Sequence, residues 1–308
     1  MNGVYQKTLA NPISFTGIGL HYGLISNIKL LPSRNNTGII FKRVDLKDNN
    51  KIEANFENVT SVRLSTTIQN YASVSVSTIE HLLAALYITG IDNLIIEIDN
   101  IEVPIMDGSS KEFVEQILKS GTIELTAKRK FLKITDQIEI NEDSKSISIE
   151  PSNSGLEVEF ELNYKNKIIG NQKNYINFSI DNLKDVYTSR TFCLFEDIEK
   201  IKKIGLAKGG SLQNAIVVKG ETLLNESGLR NKNEFVNHKI LDLAGDFLLS
   251  GYRIIGLVKC AKGGHSLSNQ FIKEIFKSKG SFLEINLDKA GLIKKNVSQS
   301  YNKIAVNA

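Results

Sequence analysis

Residues 233–250 read NEFVNHKILDLAGDFLLS. At about 100° per residue, Ile240, Leu241, Leu243, Ala244, Phe247 and Leu248 fall on one broad arc. His238, Lys239, Asp242 and Asp246 fall on the other. Glu234–Leu249 is therefore predicted as a helix, the longest in the chain. An amphipathic surface helix with a solvated polar face has this same pattern. Phe235 is the exception: an aromatic inside the polar arc argues that this face is partly covered. His238 and Asp242, four residues apart, project one turn apart and can chelate one ion. A catalytic zinc site needs a third protein ligand, so the pair alone is a weak signal.

Outward from this helix, the pattern predicts a strand at Arg253–Lys259 and a last helix at Leu267–Ser278. Upstream, strands are expected at Phe131–Ile134, Ser146–Glu150, Leu156–Asn163, Tyr175–Phe178 and Ala215–Lys219, with short helices at Asp181–Ser189 and Asp197–Ile204. The first half opens with strands at Ile13–Leu20, Ile25–Leu31 and Gly38–Arg43. A helix at Thr78–Thr89, a buried strand at Asn93–Asp99 and a helix at Ser110–Ser120 follow. Ser77-x-x-Glu80 and Ser109-x-x-Glu112 fit the capping box that opens a helix. Strands precede helices in each half with little βαβ alternation, which predicts an α+β fold. A length of 308 residues suggests about two domains. Charge clusters at Thr126–Lys130, so the division is placed there: residues 1–127 and 128–308.

Composition excludes several classes. The two cysteines, Cys193 and Cys260, rule out a disulfide scaffold. A net charge of +4 informs solubility and points to no partner by itself. No nucleic-acid module is recognisable, and no nucleic-acid partner is expected. The N-terminus lacks the charged and apolar regions of a signal peptide. Apolar runs such as Leu82–Ile88 are shorter than the ~20 residues of a spanning helix. A cytoplasmic location, with at most peripheral membrane contact, is the expectation.

Only four histidines are present: His21, His81, His238 and His265. His81 is a candidate third ligand. Glu80 beside it is either a capping-box member or a general base next to a metal. His265, after Gly263-Gly264, is either a plain loop histidine or an acid that protonates a leaving group, with Asp246 holding its tautomer.

These residues stand in a recognisable series. STIEHL (77–82) is followed by GIDNL (90–94) and EVPIMDGS (102–109). SRTF (189–192), EFVNHKILD (234–242) with Gly245-Asp246, and GHSLSN (264–269) come later, and TGIGLH (16–21) lies near the start. The series resembles the zinc-dependent UDP-3-O-acyl-N-acetylglucosamine deacetylases of lipid A biosynthesis, from about Gln6 to about Phe276. The resemblance implies two similar α+β domains, each a mostly antiparallel sheet backed by helices, with the helices sandwiched between the sheets. The first domain would carry Glu80 and His81. The second would carry His238, Asp242, His265 and an acyl-chain insertion at about 193–221.

Residue by residue, the resemblance implies that His81, His238 and Asp242 bind Zn²⁺, with Fe²⁺ an option in the cell. It makes Glu80 the general base and His265 a second, cationic catalytic group partnered by Asp246. Thr191 would bind the developing oxyanion. Lys239 would lie near the diphosphate and Phe192 near the sugar, with Leu20, Ala207 and Ile198 also touching substrate. Ile201, Ala215 and Val217 either line the acyl passage with Ile198 and Ala207 or form the insertion's own core. The implied reaction hydrolyses the acetamide of an acylated UDP-sugar, a small-molecule substrate, and the protein is expected to be a monomer. Two stretches depart from the family pattern. Ser65 stands where some members have cysteine. Leu162-Asn163-Tyr164 lacks the usual Phe and His-Pro, which puts the aromatic platform for the uracil in question, with Tyr164 a substitute. A two-histidine, one-carboxylate iron oxygenase and a non-catalytic nucleotide-sugar binding module are the competing readings.

Overall fold

The computed structural model describes residues 3–287 and 293–295. Strand β1 (Tyr5–Leu9) opens the chain, followed by β2 (Ile13–Ile18), β3 (Ile25–Pro32), β4 (Ile39–Arg43) and β5 (Lys51–Glu53). Three short strands come next: β6 (Val59–Ser61), β7 (Thr67–Gln69) and β8 (Ser75–Val76). Helix α1 (Glu80–Thr89), β9 (Leu94–Ile98), α2 (Lys111–Ser120) and β10 (Thr122–Lys128) complete the first half. The main sheet here has the order β2-β3-β9-β4-β5. Its β9 is a run of β-branched residues whose alternate side chains are buried.

The second half runs β11 (Phe131–Ile134), β12 (Ile138–Glu142), β13 (Lys145–Glu150), β14 (Leu156–Asn163), β15 (Asn171–Asn177) and α3 (Lys184–Tyr187). Then come β16 (Phe192–Leu194), α4 (Phe195–Lys203), β17 (Ile216–Lys219), β18 (Thr222–Leu223) and α5 (Glu234–Leu248). The described chain ends with β19 (Arg253–Ala261), α6 (His265–Lys277), β20 (Phe282–Leu287) and β21 (Ile293–Lys295). An eight-stranded mixed sheet is centred on β19, which pairs with β11, β13 and β14. In β14 the apolar residues of LEVEFELN are buried while its glutamates point outward. The fold is α+β, as expected. Every sheet among the described residues draws its strands from one side of Arg129. The division proposed at 127/128 falls one residue before the end of β10, and positions from 296 on lie outside the described residues.

Helices α1 and α5 carry the centre of the core. All of α5 except Lys239 is buried, and so is α1 from Glu80 to Tyr87. They cross in contact at Gly245: a Cβ there would meet the Glu80 carbonyl oxygen at 2.1 Å and the Ala84 amide at 3.1 Å. Phe235 is fully buried. The solvated-face reading of α5 is therefore wrong, and the aromatic in its polar arc was the signal.

The capping boxes do not form. Thr78 sits in the left-handed region at φ 56°, so α1 starts two residues late with Ile79 as its cap. Ser77 instead bridges to Glu102, and its hydroxyl donates to the Ile101 carbonyl. Ser110 caps α2 by position without a side-chain bond, and its hydroxyl donates to the His81 carbonyl at 2.6 Å. Strand β15 is longer than predicted because it pairs with β14 from Glu157 to Asn163. Helix α3 is shorter than predicted. Strand β10 was missed: Ile123, Leu125 and Ala127 alternate as a strand should, but the charge at Lys128–Lys130 reads as a linker. It pairs antiparallel with β1.

Where α1 ends, Arg129 and Arg253 are both buried and share Asp92. Arg129 also donates to the Gly90 carbonyl, and Arg253 to those of Leu86, Tyr87 and Ile91. The two arginines thus take up the orphan carbonyls of the α1 C-terminus. They also tie the two halves together. No helix among the described residues is long and apolar enough to cross a membrane.

Candidate active site

The N-terminal turn of α1 faces the first turns of α5. His81 Nε2 and His238 Nε2 each lie 3.4 Å from Asp242 Oδ1. One donor atom from each of the three residues lies within 4.8 Å of the others, and all three side chains are buried. The His238 Nδ1 is 3.1 Å from the Ser189 carbonyl. A carbonyl only accepts, so Nδ1 carries the proton and Nε2 presents its lone pair to the cluster. That is the orientation a metal-ligating imidazole requires. Asp242 Oδ1 and His81 Nδ1 have no hydrogen-bond partner in the protein. Burial pulls the His238 pKa down to about 3, so its ring is neutral. Burial opposes ionisation of Asp242, but the cationic Lys239 against its Oδ2 helps hold its carboxyl well below the usual range. Two imidazole nitrogens converging on an orphaned carboxylate oxygen suit a divalent metal with one position left open. The fit is to the donor set that sequence reasoning singled out.

Glu80, first residue of α1, caps nothing. Its Oε2 accepts from the Thr66 amide at 3.0 Å, and its Oε1 lies 3.7 Å from His265 Nε2. Burial raises its pKa, with the charges of His265 and His81 opposing. His265 opens α6, so it is a helix residue and not a plain loop one. Its Nδ1 is 2.9 Å from Asp246 Oδ2. Burial would lower its pKa, yet the charges of Asp246 and Glu80 and the Asp246 hydrogen bond dominate and hold it at about 9. Glu80, His265 and Asp246 thus form a chain on the rim of the ligand cluster.

Sequence reasoning missed Thr66, which joins that chain at both ends. Its amide donates to Glu80 and its hydroxyl to Asp246 Oδ1 at 2.7 Å. Nothing in a lone threonine marks this role. Glu102 was also missed. It accepts from the His21 and Tyr22 amides and the Thr78 hydroxyl, which fixes the turn after β2 beside the site.

A cavity of about 360 Å³ opens over the cluster, lined by Glu80, His81, His238, Lys239, Asp242 and His265. Thr191, Phe192, Leu20, Leu64 and Tyr164 are also in its wall. The Thr191 amide is spent on the Gly108 carbonyl, which leaves its hydroxyl for the cavity. Phe192 stands edge-on to Phe235 and Tyr164. The Lys239 ammonium is 2.6 Å from Asp242 Oδ2, a pairing not foreseen.

Leu20, Leu64, Thr191 and Phe192 also border a second cavity of about 370 Å³. Ile198, Ile201, Ala207, Ala215 and Val217 line it. The segment behind it is a βαβ unit: β16 and β17 are parallel and α4 joins them. No α4 side chain is fully buried, whereas Ala215 and Val217 are buried beneath the cavity. Of the residues assigned from sequence, all but Asp246 line one of the two cavities, and Asp246 stands behind His265.

The chain is similar in sequence to known proteins. A family model described as UDP-3-O-acyl N-acetylglycosamine deacetylase matches residues 6–277. A protein of Geobacter sp. strain M21 named UDP-3-O-acyl-N-acetylglucosamine deacetylase is 42% identical over 275 residues, covering 89% of this chain and 90% of the relative. Relatives of the same name from Glaesserella parasuis serovar 5 and Nautilia profundicola are 38% and 40% identical. The first covers 97% of both chains, and the second 96% of this chain and 99% of its own.

Proposed function

The chain belongs to the UDP-3-O-acyl N-acetylglycosamine deacetylase family, and on that premise we propose that it is a zinc-dependent hydrolase of the acetamide of UDP-3-O-acyl-N-acetylglucosamine. The products are acetate and UDP-3-O-acyl-glucosamine, and the reaction is the committed step of lipid A biosynthesis. One observation carries the mechanistic reading: Glu80 and His265 flank the His81–His238–Asp242 cluster inside one cavity, and Leu20, Leu64, Thr191 and Phe192 border both it and an apolar one.

His81, His238 and Asp242 would hold the metal, and a Zn²⁺ ion there would supply Lewis-acid polarisation of the amide carbonyl and a more acidic water. Fe²⁺ suits the same donors. Glu80, its pKa raised by burial, accepts the proton of the attacking water. The Thr191 hydroxyl donates to the oxyanion as the carbonyl becomes tetrahedral, where preorganised donors contribute most. His265 enters as the imidazolium and gives its proton to the departing amine as the C–N bond breaks. Asp246 holds the Nδ1 hydrogen, which leaves Nε2 directed at the reaction. Lys239 and Phe192 meet the diphosphate and the sugar, with Tyr164 beside Phe192. The acyl chain lies in the second cavity against Leu20, Ile198 and Ala207. The enzyme works on this small-molecule substrate as a cytoplasmic monomer.

The test is acetate release from UDP-3-O-acyl-N-acetylglucosamine by the purified chain. Release that a zinc chelator stops and added zinc restores, without oxygen or reductant, is the expected result. No release from folded, metal-loaded protein defeats the proposal.

A further inference from the structure

Fifteen large apolar side chains are exposed among the described residues; three of them line the second cavity, and four more stand on the segments that supply its other lining residues. Of these seven, three lie in the Tyr22–Ile25 turn. Leu64, Phe195, Ile204 and Leu212 make up the rest, with exposures from 41% at Tyr22 and Phe195 to 61% at Ile25. The segments that carry them touch. The Lys208 amide donates to the His21 carbonyl and the Gly209 amide to that of Leu20. Gly23 lies so close that a Cβ on it would be 3.0 Å from that of Lys208. Leu64, Phe195 and Leu212 line the cavity itself, so the cavity opens at this patch. A contiguous apolar patch is unusual on a soluble surface and marks an interaction site.

The patch has a cationic rim. Residues 195–219 contain five lysines against three acidic residues, and Arg63 adjoins Leu64. Of the five, only Lys200 is ion-paired among the described residues, to Asp197. Lys202, Lys203 and Lys208 are exposed. The Lys219 ammonium lies 4.5 Å from the centre of the Phe195 ring, an apolar anchor under a cationic head. Apolar tips inside a lysine rim match the boundary layer of an anionic bilayer, where acyl chains lie beneath negative headgroups.

We propose that this face docks transiently on an anionic phospholipid surface, with the mouth of the apolar cavity against the headgroup layer. The inference rests on the acyl-substrate reading of that cavity. A fatty acyl chain partitions into lipid, and a mouth held at the interface lets it pass into the protein without crossing water.

The test is flotation of the full chain with phosphatidylcholine vesicles, with and without phosphatidylglycerol. The expected result is binding to the anionic vesicles that rising salt weakens. Lys203→Glu with Lys208→Glu, and separately Ile25→Asp with Ile204→Asp, should each lower partitioning by roughly tenfold or more. None of these four residues lines either cavity, and unchanged circular dichroism checks that the variants fold. Wild-type chain that ignores both vesicle types overturns the proposal, as do variants that bind like wild type. A dimer in light scattering that Ile25→Asp with Ile204→Asp dissolves, without vesicle binding, assigns the patch to a second copy and also overturns it. Acetate release from a detergent-free, short-acyl substrate is scored in parallel. Release without vesicle binding defeats the docking alone, and vesicle binding without release defeats the catalytic reading alone.

Discussion

The two ends of α1 each bury a cluster of charge, and they differ in what is left over. At the C-terminal end, Asp92 and a ring of main-chain carbonyls take up Arg129 and Arg253, and no buried side-chain polar atom there is orphaned among the described residues. At the N-terminal end, Asp242 Oδ1 and His81 Nδ1 are buried without partners. Polar groups are costly to bury unsatisfied, and folds rarely tolerate it. The satisfied cluster is a structural joint between the halves. The unsatisfied one holds capacity in reserve for something the chain does not contain.

Substitutions at the two ends should therefore fail in different ways. The largest effect is expected for His238→Ala: metal content and acetate release are lost together, while the fold survives. Metal analysis with circular dichroism checks this, and retained zinc would remove His238 from the ligand set. Next is Glu80→Gln, which should keep the metal and lower the rate by roughly 10²–10⁴, the range of a general base. At the opposite end, Asp92→Asn leaves two buried guanidiniums without a carboxylate. It should cost about 3–5 kcal/mol in denaturant unfolding, with the rate per folded molecule unchanged. Equal loss of rate and stability at both ends would erase the contrast.

A smaller effect concerns protonation. The His265 pKa, at about 9, lies above its ordinary value of 6.5. The imidazolium therefore persists through neutral pH and is lost as pH climbs through about 9. Asp246→Asn should lower that titration, read from the His265 ring resonances of metal-free protein; an unmoved titration would mean that Asp246 does not hold the proton. A bound dication lowers it in the wild type as well, because like charge disfavours the protonated ring. The smallest effect belongs to Ser77→Ala. A capping box would lose roughly 1 kcal/mol. With only the 3.2 Å bond to Ile101 at stake, the measured change should stay below that.

The sequence was most informative where one helix carried the evidence. The arcs of α5, with Phe235 out of place, already implied a covered polar face. Its HxxxD spacing named two ligands. The partnership with His81 was not derivable from spacing, because only the crossing of α1 and α5 brings it near. There the family resemblance supplied what periodicity lacked. Glu80 was read two ways, and the left-handed Thr78 decided against the cap. Thr66 was invisible because its role depends on two carboxylates that meet only in the fold. Strands β5 to β8 are two or three residues long, too short for alternation to register.

Gly245 allows α5 to lie against the Glu80 carbonyl. His238 and Asp242 sit two turns and one turn before it on the same helix, and His81 follows Glu80 directly. Metal donors must be placed to within about 0.2 Å, so the axis-to-axis gap of these helices is part of the ligand geometry. A single added methyl would act as a shim, opening that gap and moving one half of the donor set away from the other. Position 245 has no chemistry of its own, yet it sets the calibration of the centre. The route from glycine to alanine there is closed to drift for as long as the metal is needed.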